Sequence, residues 1–136
     1  PDASEGAYVV GAYPDLSCDV WADYRGALDT ISAPASEDYN SLGGLGTWTA
    51  YMGFSQIVES MTDDVNAANF ATAASTAVVN LPGMIPDVNF RDEFTGFPAF
   101  LRMFNTSVVY SQVQDGVIAP LGACGEFDNV GPIISD

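Results

Sequence analysis

Residues 107–120 read SVVYSQVQDGVIAP. Apolar and polar residues alternate from Ser107 to Gln114, the period of a strand with two unlike faces. Asp115-Gly116 then offers the positive φ angles of a tight hairpin turn, and VIAP returns the chain. The stretch predicts a C-terminal β-hairpin over about 107–120, at the end of an apolar run that begins at Phe100.

Far upstream, GAYVVGAY at residues 6–13 is short, β-branched and aromatic, and Pro14-Asp15 closes it. It reads as a buried strand. Between the two β segments the periodicity is helical. Val20, Trp21, Tyr24, Leu28 and Ile31 share one face, so a helix is predicted over about 18–31. Ser17 can cap it, Asp15, Asp19 and Asp23 lie near the positive end of its dipole, and Pro34 stops it. Residues 33–46, APASEDYNSLGGLG, are small and turn-forming and read as a loop.

A second helix is predicted over 47–61. Trp48, Tyr51, Met52, Ser55 and Val58 form one stripe and Phe54, Ile57 and Met61 another, so the helix is expected to pack on several sides. A third helix, over 65–78, starts at Thr62 or Asn66 as cap and carries Ala67, Ala71, Ala74 and Ala77 for close packing. LPGMIPDVNF (81–90) is Pro-punctuated and extended, and the tail GACGEFDNVGPIISD has little periodicity. The order β–α–loop–α–α–extended–hairpin indicates an α/β or α+β chain. One strand plus a hairpin is a poor sheet for three helices to cover, which predicts a piece of something larger.

The chain has 136 residues and 48% apolar residues, enough for one domain with a core. Eighteen Asp and Glu face three Arg, with no Lys and no His, for a net charge of −15. That balance repels phosphate backbones and anionic lipid, so no nucleic-acid partner is expected. Without His or Lys there is no Ser–His–Asp arrangement and no Schiff-base lysine. GGLGTW lacks the phosphate-loop pattern, no calcium loop is present, and the carboxylates are scattered. We expect no catalysis, no cofactor and no metal site. Cys18 and Cys124 have neither a CxxC neighbour nor a His, which argues against zinc. In an exported protein they would pair, constraining the unfolded chain by roughly 4–5 kcal/mol; otherwise they are two buried thiols acting as small hydrophobes.

GGLGTWTAYMGF at 43–54 is the candidate site. Tyr13, Leu45, Gly46, Thr47 and Trp48 offer aromatic rings, a hydroxyl and backbone amides at the start of the predicted second helix. Such a set suits a small polar organic ligand, a carboxylate in particular. The competing reading makes Trp48 and Tyr51 core residues and the glycines a corner.

EGAYVVGAY with its Pro-containing crossover, DVWADYRGAL, GLGTWTAYMGFSQIVESM, DDVNAANFATAASTA and FNTSVVYSQVQDGVIAPLG follow one another in an order that resembles the type I periplasmic binding proteins. The nearest subgroup binds branched-chain amino acids, amides and related solutes for ABC transporters. The resemblance implies a partial α/β fold of the two-lobed, Venus-flytrap type, with residues 1–136 as its C-terminal third and 6–13 as a crossover strand. It places the residues opening the long helix, Leu45, Gly46, Thr47 and Trp48, at the interlobe cleft, with Tyr13 as a further candidate. The function it implies is extracytoplasmic capture of an amino acid, amide or short organic acid for an ABC permease. The isolated piece would then self-associate or keep contact with missing N-terminal segments. The alternative is a structural or interaction domain of an exported acidic surface protein that binds no ligand.

Overall fold

The hairpin forms where the alternation places it. The computed structural model of the chain describes residues 3–96, 99 and 102–135; Phe100, the expected start of the apolar run, lies outside them. Strand β4 (Ser107–Gln114) turns through Asp115 and Gly116 into β5 (Val117–Pro120). Both turn residues have positive φ, 53° and 76°, as a two-residue hairpin turn requires. The Glu5 carboxylate accepts the N–H groups of Asp115 at 3.0 Å and Gly116 at 3.1 Å, so the turn is held from the other end of the chain.

Strand β1 (Tyr8–Gly11) lies on the other side of β4, antiparallel, with Tyr8 opposite Gln112 and Val10 opposite Tyr110. Strand β6 (Asp128–Asn129), in the tail that lacks periodicity, pairs antiparallel with Val108 and Ser107 at the start of β4. β4 is thus the hub of the sheet. The expected buried strand at 6–13 is corrected here: β1 is shorter and is an edge strand, paired on one side only, with Tyr8 71% and Val10 58% exposed.

The first helix opens as a 3-10 turn (Asp19–Trp21) and continues as α1 (Ala22–Thr30). Trp21 and Tyr24 are buried and Val20 and Leu28 pack beside them, whereas Ile31, assigned to the same stripe, is exposed. Helix α2 runs Leu42–Glu59, five residues earlier than the predicted start at 47, so the loop over 33–46 ends at Ser41. It buries one line, Leu45, Thr49, Gly53 and Ile57, rather than several faces; Tyr51 and Phe54 stay exposed. Helix α3 spans Ala67–Ala74, capped by the Asn66 side chain on Asn69 N–H. It is shorter than predicted because Val78–Val79 (β2) leave to pair with Val88–Asn89 (β3). The Gln56 side chain bonds Asn80 reciprocally, giving at 3.1 Å and taking at 2.8 Å, and so docks α2 on β2. A short α4 (Gly131–Ile134) follows β6.

The result is a small mixed α/β domain, with four α-helices and antiparallel sheets among the described residues. Two apolar clusters hold it. One gathers Cys18, Trp21, Tyr24 and Leu45; the other gathers Ile57, Val79, Leu81 and Val88; Met84 touches both. Among the described residues none of the buried apolar side chains comes from β1, β4 or β5. The chain exposes 8815 Å², where a folded monomer of its mass exposes about 6,800 Å².

A disulfide joins Cys18 to Cys124, which lies just beyond β5, across 106 positions. It ties the buried aromatic cluster to a sheet that shares little core with it. Reduction should therefore lower the unfolding free energy by about 4 kcal/mol, read from urea unfolding with and without a thiol reductant. An unchanged midpoint would mean that the two parts hold together without the bond.

Candidate functional site

Asn40 joins the two segments that frame the site. Its Oδ1 accepts the Leu16 N–H at 2.8 Å, and its Nδ2 donates to Asp15 Oδ2 at 2.6 Å. The turn after β1 is thereby fixed against the residue preceding the α2 cap. Ser41 is that cap, extended in backbone, with its Oγ accepting the Gly44 N–H at 3.2 Å.

The glycines at the start of α2 serve close packing more than a corner. A Cβ on Gly44 would stand 2.6 Å from the Tyr39 carbonyl oxygen and 2.8 Å from the Tyr24 hydroxyl. A Cβ on Gly46 would meet the Tyr13 hydroxyl at 3.4 Å. Glycine lowers helix propensity, and the ring contacts it permits outweigh that cost here. The amides expected to be free at 45–48 are a correction. Because the helix opens at Leu42, Leu45 N–H already donates to the Ser41 carbonyl at 3.0 Å, and the Leu45 side chain is buried in the aromatic cluster.

The remaining predicted residues are split between two faces. Thr47 and Trp48 line a cavity of about 530 Å³ with Tyr24, Tyr39 and Tyr51, and Glu37 and Asp38 stand at it. Tyr13 and Gly46 lie in a separate apolar groove of about 350 Å³, with Phe54, Phe70 and Val79. The Trp48 ring sits 5.2 Å from that of Tyr24, tilted by 33°. Trp48 Nε1 is buried and has no hydrogen-bond partner, the one such side-chain atom among the described residues. Buried donors are rarely left so. A third hollow, of about 780 Å³, lies beside the disulfide and includes Tyr110, Ser111 and Glu126.

Three titrating groups are displaced. Burial raises the Tyr13 phenol. Burial, and then the neighbouring Tyr39, raise the Tyr24 phenol. At Asp15 burial pushes upward, but hydrogen bonds from the Ser17 hydroxyl, the Ser17 N–H and the Asn40 amide together outweigh it and hold the carboxyl below its ordinary value. Among the described residues no three or more Cys, Asp or Glu side chains converge as a metal site would need, and no helix is long and apolar enough to cross a membrane.

Comparison with protein-family models, with curated proteins and with solved structures finds no match. The site therefore has to be read from its own chemistry. Its cavity offers ring faces, the Thr47 hydroxyl and carboxylates, which is equipment for holding a small solute. Sequence reasoning overlooked Tyr24, Tyr39, Glu37 and Asp38. A signal for Tyr51 was present: positions 44, 47, 48 and 51 share a helix face once the helix is taken to start at the Ser41 cap.

Two outcomes test this geometry. Gly43 has open space where Gly44 has none; a Cβ there would meet only Ser41 Oγ, at 3.7 Å. Gly43→Ala should stabilise the chain by about 0.5–1 kcal/mol and Gly44→Ala should destabilise it, both read from urea midpoints; equal shifts would refute the close approach. Asp15 has a folded-state pKa below its unfolded one. The stability it contributes is complete above the unfolded value and is lost as pH falls through the folded value. Asp15→Asn should flatten that part of the acid limb, and an unaltered limb would assign it to other carboxylates.

Proposed function

We propose that the chain is the C-terminal part of an extracytoplasmic solute-binding protein and forms one wall of its ligand site. The observation that carries this reading is the cavity of about 530 Å³ at the start of α2, lined by Thr47, Trp48 and three tyrosine side chains. Thr47 and Trp48 lie in the stretch whose resemblance to the type I periplasmic binding proteins points to an interlobe cleft.

Other features support the reading. The excess surface of about 2,000 Å² matches what a substantial interface buries. Exposed apolar residues on both edge strands, Tyr8 and Val10 on β1 and Val117 and Ile118 on β5, suit contact with missing N-terminal segments or with a second copy. The disulfide fits an oxidising compartment outside the cytoplasm. The protein would capture an amino acid, amide or short organic acid, close its lobes by a hinge motion and present the closed form to an ABC permease, with no chemistry of its own. The same exposed edges and surface excess favour a second reading, an interaction domain of an exported acidic protein.

Thermal unfolding of the whole protein to which this segment belongs separates the two readings. With a panel of amino acids, amides and short organic acids, a binder gains stability as RT ln(1 + [L]/Kd). A rise in Tm with at least one solute, growing with its concentration, is the expected result. A flat response to the whole panel would favour the interaction domain.

A further inference from the structure

We propose that the cavity at the start of α2 takes the cationic end of its solute, an alkylated or quaternary ammonium group. The inference rests on the solute-binding reading and names the chemical class that this site prefers. Four aromatic side chains, Tyr24, Tyr39, Trp48 and Tyr51, line this open cavity, and Glu37 and Asp38 stand beside them. No arginine lines it: Arg25 is committed elsewhere, its Nη1 donating to the carbonyls of Leu16 and Cys18 at 2.7 Å each.

Each element of that set selects for positive charge. The faces of Trp and Tyr rings carry negative quadrupole density and attract cations, most strongly where water is partly displaced. Tyr24 is buried and is held against Trp48, so those rings are fixed before any ligand arrives. Tyr51 is 72% exposed and is free to close over an occupant. The carboxylates add an attraction that the net charge of −15 reinforces at longer range. A carboxylate or phosphate group placed beside Glu37 and Asp38 would meet like charge. The methyl groups of an alkylammonium need no acceptors and can rest directly on the ring faces. Gly43 leaves the wall open, with no neighbour nearer than 3.7 Å to where its side chain would begin. A longer residue there would occupy the ligand's space at a helical position that accepts it.

The closing experiment titrates the whole protein by calorimetry and tryptophan fluorescence with choline, tetramethylammonium and 3,3-dimethyl-1-butanol, the last being the uncharged isostere of choline. Choline and tetramethylammonium should bind about five- to tenfold more tightly than the isostere, and added salt should narrow the gap. Glu37→Gln combined with Asp38→Asn should weaken the cations without affecting the isostere. Asp38→Asn keeps the Oδ1 that accepts the Asn40 N–H, so the loop stays in place. Tyr51→Leu should weaken the cations about fivefold or more, and Gly43→Leu should abolish binding without lowering the unfolding midpoint. Equal affinity for choline and its isostere would overturn the cation assignment. So would binding of neutral or acidic solutes, blocked by Gly43→Leu, with no response to either cation; in that case the solute-binding reading stands. No heat and no fluorescence change with any of these compounds or with the amino acid and amide panel would overturn both.

Discussion

Trp21 is the side chain around which the rest is arranged. It is fully buried, and its indole N–H donates to the Pro14 carbonyl at 3.1 Å. Tyr13 meets its ring edge-on at 6.2 Å and Tyr24 at 6.3 Å. Its own backbone N–H returns to the Cys18 carbonyl, so the residue also fixes the approach of the disulfide. Truncating such a residue removes about 3–5 kcal/mol, a large share of the stability of a small domain. The aromatic series continues from Tyr24 to Trp48, so the candidate cavity has its rear wall set by a contact made two rings away.

Outward from that point the structure divides. The helices and the short β2–β3 ladder enclose the two apolar clusters, whereas the larger sheet is hinged onto them through the turn after β1 and through the disulfide. Polar side chains do much of the joining. Asn40 spans two turns, Gln56 extends β2 in place of a neighbouring strand, and Glu5 secures the hairpin. Each supplies a partner to a backbone group that no neighbouring strand reaches.

Much of this could be read from the residues. Alternation and Asp115-Gly116 located the hairpin, because turn chemistry and strand period are both local. Trp21 and Tyr24 lay on the predicted apolar face with the exposed Ile31, and Asn66 was one of two candidate caps. The start of α2 could not be found in this way. Three glycines in four positions argue locally for a loop, and only the tertiary approach of Tyr39, Tyr24 and Tyr13 explains why a helix accepts them. The edge position of β1 was hidden for a similar reason: a β-branched run looks the same whether one side or both are paired. Of the candidate site, Thr47 and Trp48 share a cavity. Leu45 went to the core and Tyr13 with Gly46 to another face, because a helix rotates successive residues by about 100°.

The pairing of β1 with β4 also bears on how the chain is made. Gly6 and Gln112, bonded through the Gln112 side-chain amide, stand 106 positions apart, the same interval that the disulfide spans. During translation β1 therefore emerges long before its neighbour exists. It must wait unpaired until β4 has left the ribosome. Such distant closure is slow, so the strand's partner edge stays open for most of that interval.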